Sequence, residues 1–162
     1  MQLPKSILVP TDFSEASYAA LDYAVALAAL TGASVTVMHA YETLGFPEGP
    51  MIARGDLVAQ LPVASQTALD KCVARHAASG VRVETVLRRG VPSEEVNSVA
   101  AHVNADLIIV GTHGRRGLTR ALLGSVAENV IRTATRPVLT IHAPRIAELD
   151  GTRAYGREAE RN

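Results

Sequence analysis

The chain has 162 residues, sixteen basic and sixteen acidic side chains, no Trp and a single Cys. Its length fits one domain with its own core. Balanced charge and an aromatic content of 4% argue against nucleic acid as the main partner, because backbone binding needs a basic surface and base stacking needs aromatic rings. No apolar run reaches the roughly 18 to 20 residues of a membrane span, and the first residues lack the features of a secretory signal. The composition predicts a cytoplasmic protein with no nucleic-acid or membrane partner.

Five apolar segments separated by helical patterns predict an α/β fold with an open, parallel five-stranded sheet. The segments comprise residues 6–10, 33–40, 81–87, 105–111 and 137–142. The first and fourth are apolar at consecutive positions, which is typical of strands covered on both faces. Strands that alternate with helices require a mostly parallel sheet with right-handed crossovers. We therefore expect helices on both faces of the sheet, as in Rossmann-like folds.

Helical patterns fill the gaps between these segments. Ser14 is a candidate N-cap for the first helix, and Pro62 predicts either a kink in the second helix or a start near Val63. The predicted helices cover residues 14–30 and about 55–79, follow Pro92, and begin near Ser125.

The remaining segments are predicted to lie outside this framework. Residues 41–54 contain two Gly and two Pro and predict a mobile loop. Residues 1–144 form one predicted domain, and residues 145–162 form a charged, flexible tail. Cys72 lies at a helical apolar position, so we expect it to be buried as a small hydrophobic residue rather than to act as a reactive thiol.

Two loops follow strands one and four, where an open parallel sheet binds its ligands. The first comprises residues 10–14 and the second residues 111–125, which include glycine at positions 111, 114, 117 and 124. Glycine permits positive φ and lets an anion approach the backbone closely. Gly124 and Ser125 open a helix, whose first amides lack intrahelical acceptors and favour a negative charge. The pattern predicts a phosphate site at this helix start.

Several of these residues also have purely local interpretations. Ser125 and Glu128 have the spacing of a capping box. Asp12 either caps the first helix in place of Ser14 or reaches a ribose hydroxyl or a phosphate-bound Mg²⁺, which prefers oxygen ligands. Three arginines of the second loop either contact phosphate or form a solvated face: Arg115, Arg116 and Arg120. No P-loop sequence is present, and the first strand–helix turn carries no glycine.

A set of ordered motifs identifies a family resemblance over about residues 3–143. The spacing G-x2-G-x9-G-(S/T) is matched by Gly111, Gly114, Gly124 and Ser125, and the second strand contains His39 near its end. Further matching blocks run over residues 5–14, 123–131 and 136–139. In these motifs the chain resembles the universal stress protein family, and its complete glycine motif resembles the branch that binds ATP.

This resemblance implies a fold, a ligand and an assembly. The implied strand order is 3-2-1-4-5, as in the adenine nucleotide alpha hydrolase-like proteins, with strands one and four side by side. The implied assembly is a homodimer paired through the fifth strand, at Val138, Leu139 and Ile141. The implied ligand is ATP. The implied binding residues are Pro10, Thr11, Asp12, Ala40, Val110, Gly111, His113, Gly114, Gly124, Ser125 and Val126.

These observations favour a nucleotide-dependent stress-response or regulatory protein with at most slow ATP hydrolysis and no assigned catalytic residue. The alternative is an ATP-using adenylating or hydrolysing enzyme of related architecture, whose glycine-rich loop after strand one is missing here. A flavodoxin-like redox protein is less favoured, because the same loop is short and lacks a phosphate cradle. A metal cluster of His39, His113 and His142 is also less favoured, since the implied order separates strand two from strand four.

Overall fold

The protein folds as a five-stranded parallel sheet flanked by four helices in the part of the chain described here. The computed structural model describes residues 3–42, 51–112 and 124–142. The strands follow the order β3-β2-β1-β4-β5, and all neighbours run parallel, which confirms the predicted α/β class and strand order. In chain order the elements are β1 (Ser6–Pro10), α1 (Glu15–Thr31), β2 (Ser34–Tyr41), α2 (Met51–Ala74), β3 (Val83–Arg89), α3 (Pro92–His102), β4 (Leu107–Gly111), α4 (Ser125–Thr133) and β5 (Val138–Ile141).

The sheet separates two apolar clusters, and β1 contributes to both. Ile7 and Val9 pack on one face with residues of α1 and α2. Leu8 packs on the other face with residues of α3 and α4. All three side chains are completely buried, because successive residues of a strand point to opposite faces and both faces are covered by helices. The consecutive apolar pattern of this segment correctly predicted a central strand.

Helix α1 begins and ends where its sequence indicates. Ser14 is the N-cap, and its hydroxyl accepts a hydrogen bond of 3.3 Å from the Ser17 amide. Gly32 adopts φ 72° just after the helix, and its amide donates to the Ala28 carbonyl at 2.8 Å. Both ends therefore satisfy backbone groups that the helix itself leaves without a partner.

The predicted limits of α2 and of the preceding loop were wrong. Helix α2 begins at Met51, continues through Pro62 and ends at Ala74, with turns as far as Ser79. The glycines and prolines that suggested a loop all lie before Met51, whereas residues 51–54 are helix formers. Tyr41 belongs to β2, so the predicted loop 41–54 is too long at both ends. Residues 43–50 and the predicted tail lie outside the described residues.

Strand β3 begins two residues later than predicted. Its pairing with β2 starts at the Val35–Val83 pair, and Val35 donates its amide hydrogen to the Arg82 carbonyl at 2.9 Å. Because β2 begins only at Ser34, the residues before Val83 have little neighbouring strand to pair with. Within the described ranges, no helix is long and apolar enough to cross a membrane.

Cys72 is buried, as its position in the helical pattern predicted. Its side chain is 2% exposed and belongs to the cluster between α2, α1 and the sheet. Burial raises the pKa of the Cys72 thiol, and a hydrogen bond with the Thr11 side chain offsets only part of this rise. A buried thiol that stays protonated at neutral pH is a poor nucleophile.

We expect the native Cys72 thiol to react with Ellman's reagent at least about 100-fold more slowly than in denaturant, because reaction requires local opening of the core. The measurement is thiol release at neutral pH with and without urea. A control chain carrying Cys72→Ala and Ser79→Cys places the thiol at an exposed position and should react rapidly when native. Equal native rates for the two chains would show that Cys72 is accessible.

Candidate functional site

The candidate site lies at the carboxyl edge of the sheet, where β1 and β4 are neighbours. These strands run parallel, with Ile7 opposite Leu107 and Leu8 opposite Ile108. The loops that follow Pro10 and Gly111 therefore leave the sheet at the same edge. Because β1 and β4 are joined to helices on opposite faces, a cleft for a ligand is expected between these two loops.

Gly111 provides the closest contact between these two parts of the chain. A Cβ atom at this position would lie 2.6 Å from the carbonyl carbon and oxygen of Ala16 and 2.8 Å from the amide nitrogen of Ser17. The end of β4 thus meets the backbone of the first turn of α1 directly. The expectation of positive φ at Gly111 was wrong, and the missing side chain instead leaves room for the helix backbone.

The turn between β1 and α1 is held by its own side chains. Thr11 is only 6% exposed, and its hydroxyl accepts from the Phe13 amide at 3.0 Å. The Ser17 hydroxyl donates to the Ser14 carbonyl at 2.9 Å, so the 3.0 Å bond between the Thr11 and Ser17 hydroxyls takes its proton from Thr11. Asp12 Oδ1 accepts from the Ser14 amide at 3.1 Å. These bonds fix the turn before any ligand arrives.

The same contacts overturn the local interpretation of Asp12 as the N-cap of α1. Ser14 caps α1, so Asp12 does not replace it and instead positions the capping residue. Phe13 between them has φ 63°, a left-handed conformation that is uncommon for bulky side chains. Such strain persists only where the surroundings enforce it, and it is typical of functional turns.

His39 attaches the end of β2 to this turn. Its Nδ1–H donates to the Thr11 carbonyl at 2.7 Å, which requires a proton on Nδ1. The imidazole ring also contacts the Phe13 ring at a centroid distance of 4.5 Å. The Thr11 amide donates back to the Met38 carbonyl at 2.8 Å. The sequence singled out His39 through the family resemblance and as a candidate metal ligand, and neither revealed this role.

Thr112 occupies the matching position after β4, and sequence reasoning missed it. Its amide donates to the Ile141 carbonyl at 2.9 Å, and its hydroxyl shares a 2.8 Å hydrogen bond with His142 Nδ1. Thr112 is 1% exposed. The sequence did contain a signal for this role. Thr11 and Thr112 directly follow β1 and β4, and a histidine lies near the end of each neighbouring strand, β2 and β5.

The start of α4 is placed beside the end of β4 by one hydrogen bond. The Gly124 amide donates to the Thr112 carbonyl at 2.7 Å, and Gly124 is the N-cap of α4 with an ordinary φ of −60°. The predicted capping box at Ser125 and Glu128 was wrong: Ser125 is the first helical residue, and Glu128 donates its amide hydrogen to Gly124. The prediction of positive φ at Gly124 was also wrong.

This arrangement creates a place suited to an anion. The amides of the first three helical residues of α4, Ser125 to Ala127, have no acceptor within the helix, and the helix dipole favours a negative charge there. Ala40, from the end of β2, and Val126 pack against the same cluster on this face of the sheet. An apolar surface thus lies on the same side as the helix start.

The other predicted site residues fall into two groups. Pro10 and Val110 lie at the ends of the neighbouring strands β1 and β4, and Val110 is buried. His113 and Gly114 lie outside the described residues, as do the three loop arginines. Among the described residues, no group of three His, Cys, Asp or Glu side chains could hold a metal ion; the proposed histidine cluster includes His113 and is therefore untested.

Gly111→Ala should destabilise the fold by about 3 kcal/mol, because the added methyl group meets rigid helix backbone. The matched control is Gly80→Ala, whose Cβ would meet no atom within 4 Å but whose φ of 72° costs about 1 kcal/mol. Urea unfolding of both variants measures the difference. Equal stability of Gly111→Ala and the unchanged chain would contradict this packing.

Comparison with known proteins gives a consistent assignment. A family model described as the universal stress protein family matches residues 4–142. The chain is 37% identical to universal stress protein MJ0531 of Methanocaldococcus jannaschii over 144 residues, which are 88% of this chain and 85% of that protein.

Two solved structures that resemble the chain are complexes with a nucleotide. One is a universal stress protein in complex with cAMP, with a TM-score of 0.65 and 29% identity over 88% of this chain and 100% of that chain. The other is the universal stress protein from Archaeoglobus fulgidus in complex with dAMP, with a TM-score of 0.61 and 26% identity over 86% of this chain and 99% of that chain. The chain belongs to the universal stress protein family.

Proposed function

We propose that this protein binds an adenine nucleotide, specifically ATP, at the carboxyl edge of β1 and β4 and acts as a nucleotide-dependent regulator in a stress response. The observation that carries the proposal is the Gly124–Thr112 hydrogen bond of 2.7 Å, because it sets an open helix start beside the end of a central strand. The cAMP and dAMP bound by two related proteins share an adenine base and one phosphate. ATP adds two phosphates to the same pattern.

The base and the phosphates have separate places in this proposal. Adenine lies against the apolar surface near Ala40, and Val110 and Gly111 border the ribose. The phosphates lie at Gly124, Ser125 and Val126, together with His113 and Gly114 of the glycine motif. One helix start gives about 0.3 to 1 kcal/mol, or about 2 when partly buried, whereas micromolar affinity needs about 8 kcal/mol. Several backbone amides and the base pocket must therefore share the binding energy.

The turn after β1 completes the site. Pro10 and Thr11 border the nucleotide from the side opposite α4, and the Asp12 carboxylate supplies a hard oxygen ligand for the Mg²⁺ that accompanies ATP. Hydrogen bonds already fix this turn in the absence of a ligand, so its backbone loses little conformational freedom when the nucleotide binds. A pre-organised turn favours affinity because less conformational freedom is lost.

The threonine hydroxyls of this edge favour a binding protein over an enzyme. Thr11 and Thr112 are buried and bonded to Ser17 and His142, so they join elements instead of facing a reacting phosphate. We accordingly propose that hydrolysis is at most slow, below the roughly 1 s⁻¹ at the low end of ordinary enzymes. Phosphate release faster than this in a steady-state assay would favour the ATP-using enzyme instead.

Ser125→Asp should weaken nucleotide binding without destabilising the fold. A carboxylate in the first turn of α4 complements the helix dipole, so the free energy of unfolding should stay equal or rise by about 0.3 to 1 kcal/mol. The same charge repels phosphate at a few ångströms, and the affinity for MgATP should fall at least about 10-fold. Isothermal titration and urea unfolding measure the two effects.

The matched control for this test is Ser93→Asp, which adds the same charge to the first turn of α3 and should leave MgATP affinity within about 2-fold of the unchanged chain. If Ser125→Asp binds MgATP as tightly as the unchanged chain, the phosphates do not lie at the start of α4. Absence of binding heat with any adenine nucleotide in the unchanged chain would reject the proposed function.

We further propose that two copies pair through β5, which is one edge of the sheet. Thr112 donates its amide hydrogen to Ile141, and Ile108 donates to Pro137 just before β5, so the backbone groups of these two acceptors and of Leu139 between them face β4. The backbone groups of Val138 and Thr140 therefore face away from the sheet, since alternate residues of a parallel strand bond to opposite sides. The half-buried side chains of Val138, Leu139 and Ile141 flank this open edge.

Thr140→Pro should convert the dimer to a monomer, because it removes an outward amide while the bonds to β4 remain. The control is Thr85→Pro, which changes the corresponding outward position on β3, the opposite edge, and should leave the dimer intact. Light scattering coupled to size exclusion reports the mass of each variant. An unchanged mass for Thr140→Pro, or a monomeric parent chain, would contradict pairing through this strand.

A further inference from the structure

Arg88 is a charged residue near the end of β3, one strand beyond Ala40. It is partly buried, and among the described residues its side chain forms no ion pair and no hydrogen bond. Arg82 provides a contrast near the other end of the strand, because it is exposed and pairs with Glu84. A partly buried guanidinium without a counter-ion keeps its donors and its planar face available for a ligand.

The pairing of β2 and β3 places Arg88 beside the proposed adenine surface. Arg88 is the register partner of Ala40, and Val86 is the partner of Met38. Met38 and Val86 both belong to the cluster beneath α3 and α4. Side chains two residues apart on a strand share a face, so Arg88 lies on the same face as Ala40 and the start of α4.

The order of the strands shows which end of a nucleotide would meet this arginine. The start of α4 is fixed beside β4, and β3 is the third strand away from β4 in the order β4-β1-β2-β3. Neighbouring strands are about 4.8 Å apart, so this separation is about 14 Å. A nucleotide with its phosphate at α4 extends its base across β1 towards β2 and β3. Arg88 therefore borders the base and lies far from the phosphate at α4.

We infer that the guanidinium of Arg88 covers the adenine ring of the bound nucleotide and determines how tightly the base is held. This inference rests on the proposed nucleotide site. A planar, delocalised cation attracts an aromatic face and stacks on it, whereas a lysine ammonium carries the charge without the plane. Ala40 offers a small apolar surface below, and Arg88 closes the pocket from the neighbouring strand.

The test compares Arg88→Gln, Arg88→Lys and the control Arg82→Gln by isothermal titration with AMP and with MgATP. Arg88→Gln and Arg88→Lys should each weaken binding by about 5- to 30-fold, and by the same factor for AMP and MgATP, because the lost contact is to the base. Arg82→Gln should bind like the unchanged chain. Thermal unfolding of each variant verifies the fold, which Arg88 does not support through any described hydrogen bond or ion pair.

Three results would overturn the inference. Unchanged affinity in Arg88→Gln would show that this side chain does not meet the nucleotide. A loss of affinity that is larger for MgATP than for AMP would show that Arg88 contacts the phosphates as a simple charge, and so would normal affinity in Arg88→Lys. If the unchanged chain binds neither nucleotide, both the proposed function and this inference fail. If the unchanged chain and all variants bind equally well, only this inference fails.

Discussion

The absence of a side chain at Gly111 is the constraint on which the site depends. The backbone of the first turn of α1 lies so close to the end of β4 that a Cβ atom would be 2.6 Å from the Ala16 carbonyl group. The contact brings the turn after β1 against the neighbouring strand, and therefore sets the distance between the two loops of the candidate site. Gly111, the first glycine of the G-x2-G-x9-G-(S/T) spacing, therefore has a packing role.

Two similar sets of hydrogen bonds then hold β2 to β1 and β5 to β4. After β1, Thr11 is bonded to Met38 and His39 of β2; after β4, Thr112 is bonded to Ile141 and His142 at the end of β5. Each threonine donates its backbone amide hydrogen to the neighbouring strand and also bonds a histidine Nδ1, Thr11 through its carbonyl and Thr112 through its hydroxyl. Hydrogen bonds therefore hold the ends of both strand pairs together on either side of the candidate site.

The sequence was sufficient for the architecture but not for the local roles. Consecutive apolar residues in β1 and β4 revealed buried strands, and the family motifs implied the order that the structure confirms. The functions of Gly111, His39 and Thr112 depend on contacts between residues distant in the chain, such as Thr11 with His39, which periodicity cannot reveal. The capping box failed because a local spacing does not decide which residue begins a helix. At α4 the position of Gly124 beside Thr112 decided it.

The hydrogen bond between Gly124 and Thr112 also joins the two residues that flank the glycine-rich stretch of the sequence. The chain leaves the sheet after Thr112 and returns at Gly124, and these two residues are in direct contact. Because the ends of β4 and α4 hold these two residues together, the entropy cost of closing the chain between them is met by the framework itself. We therefore expect a substitution between positions 113 and 123 to leave the relative placement of β4 and α4 intact.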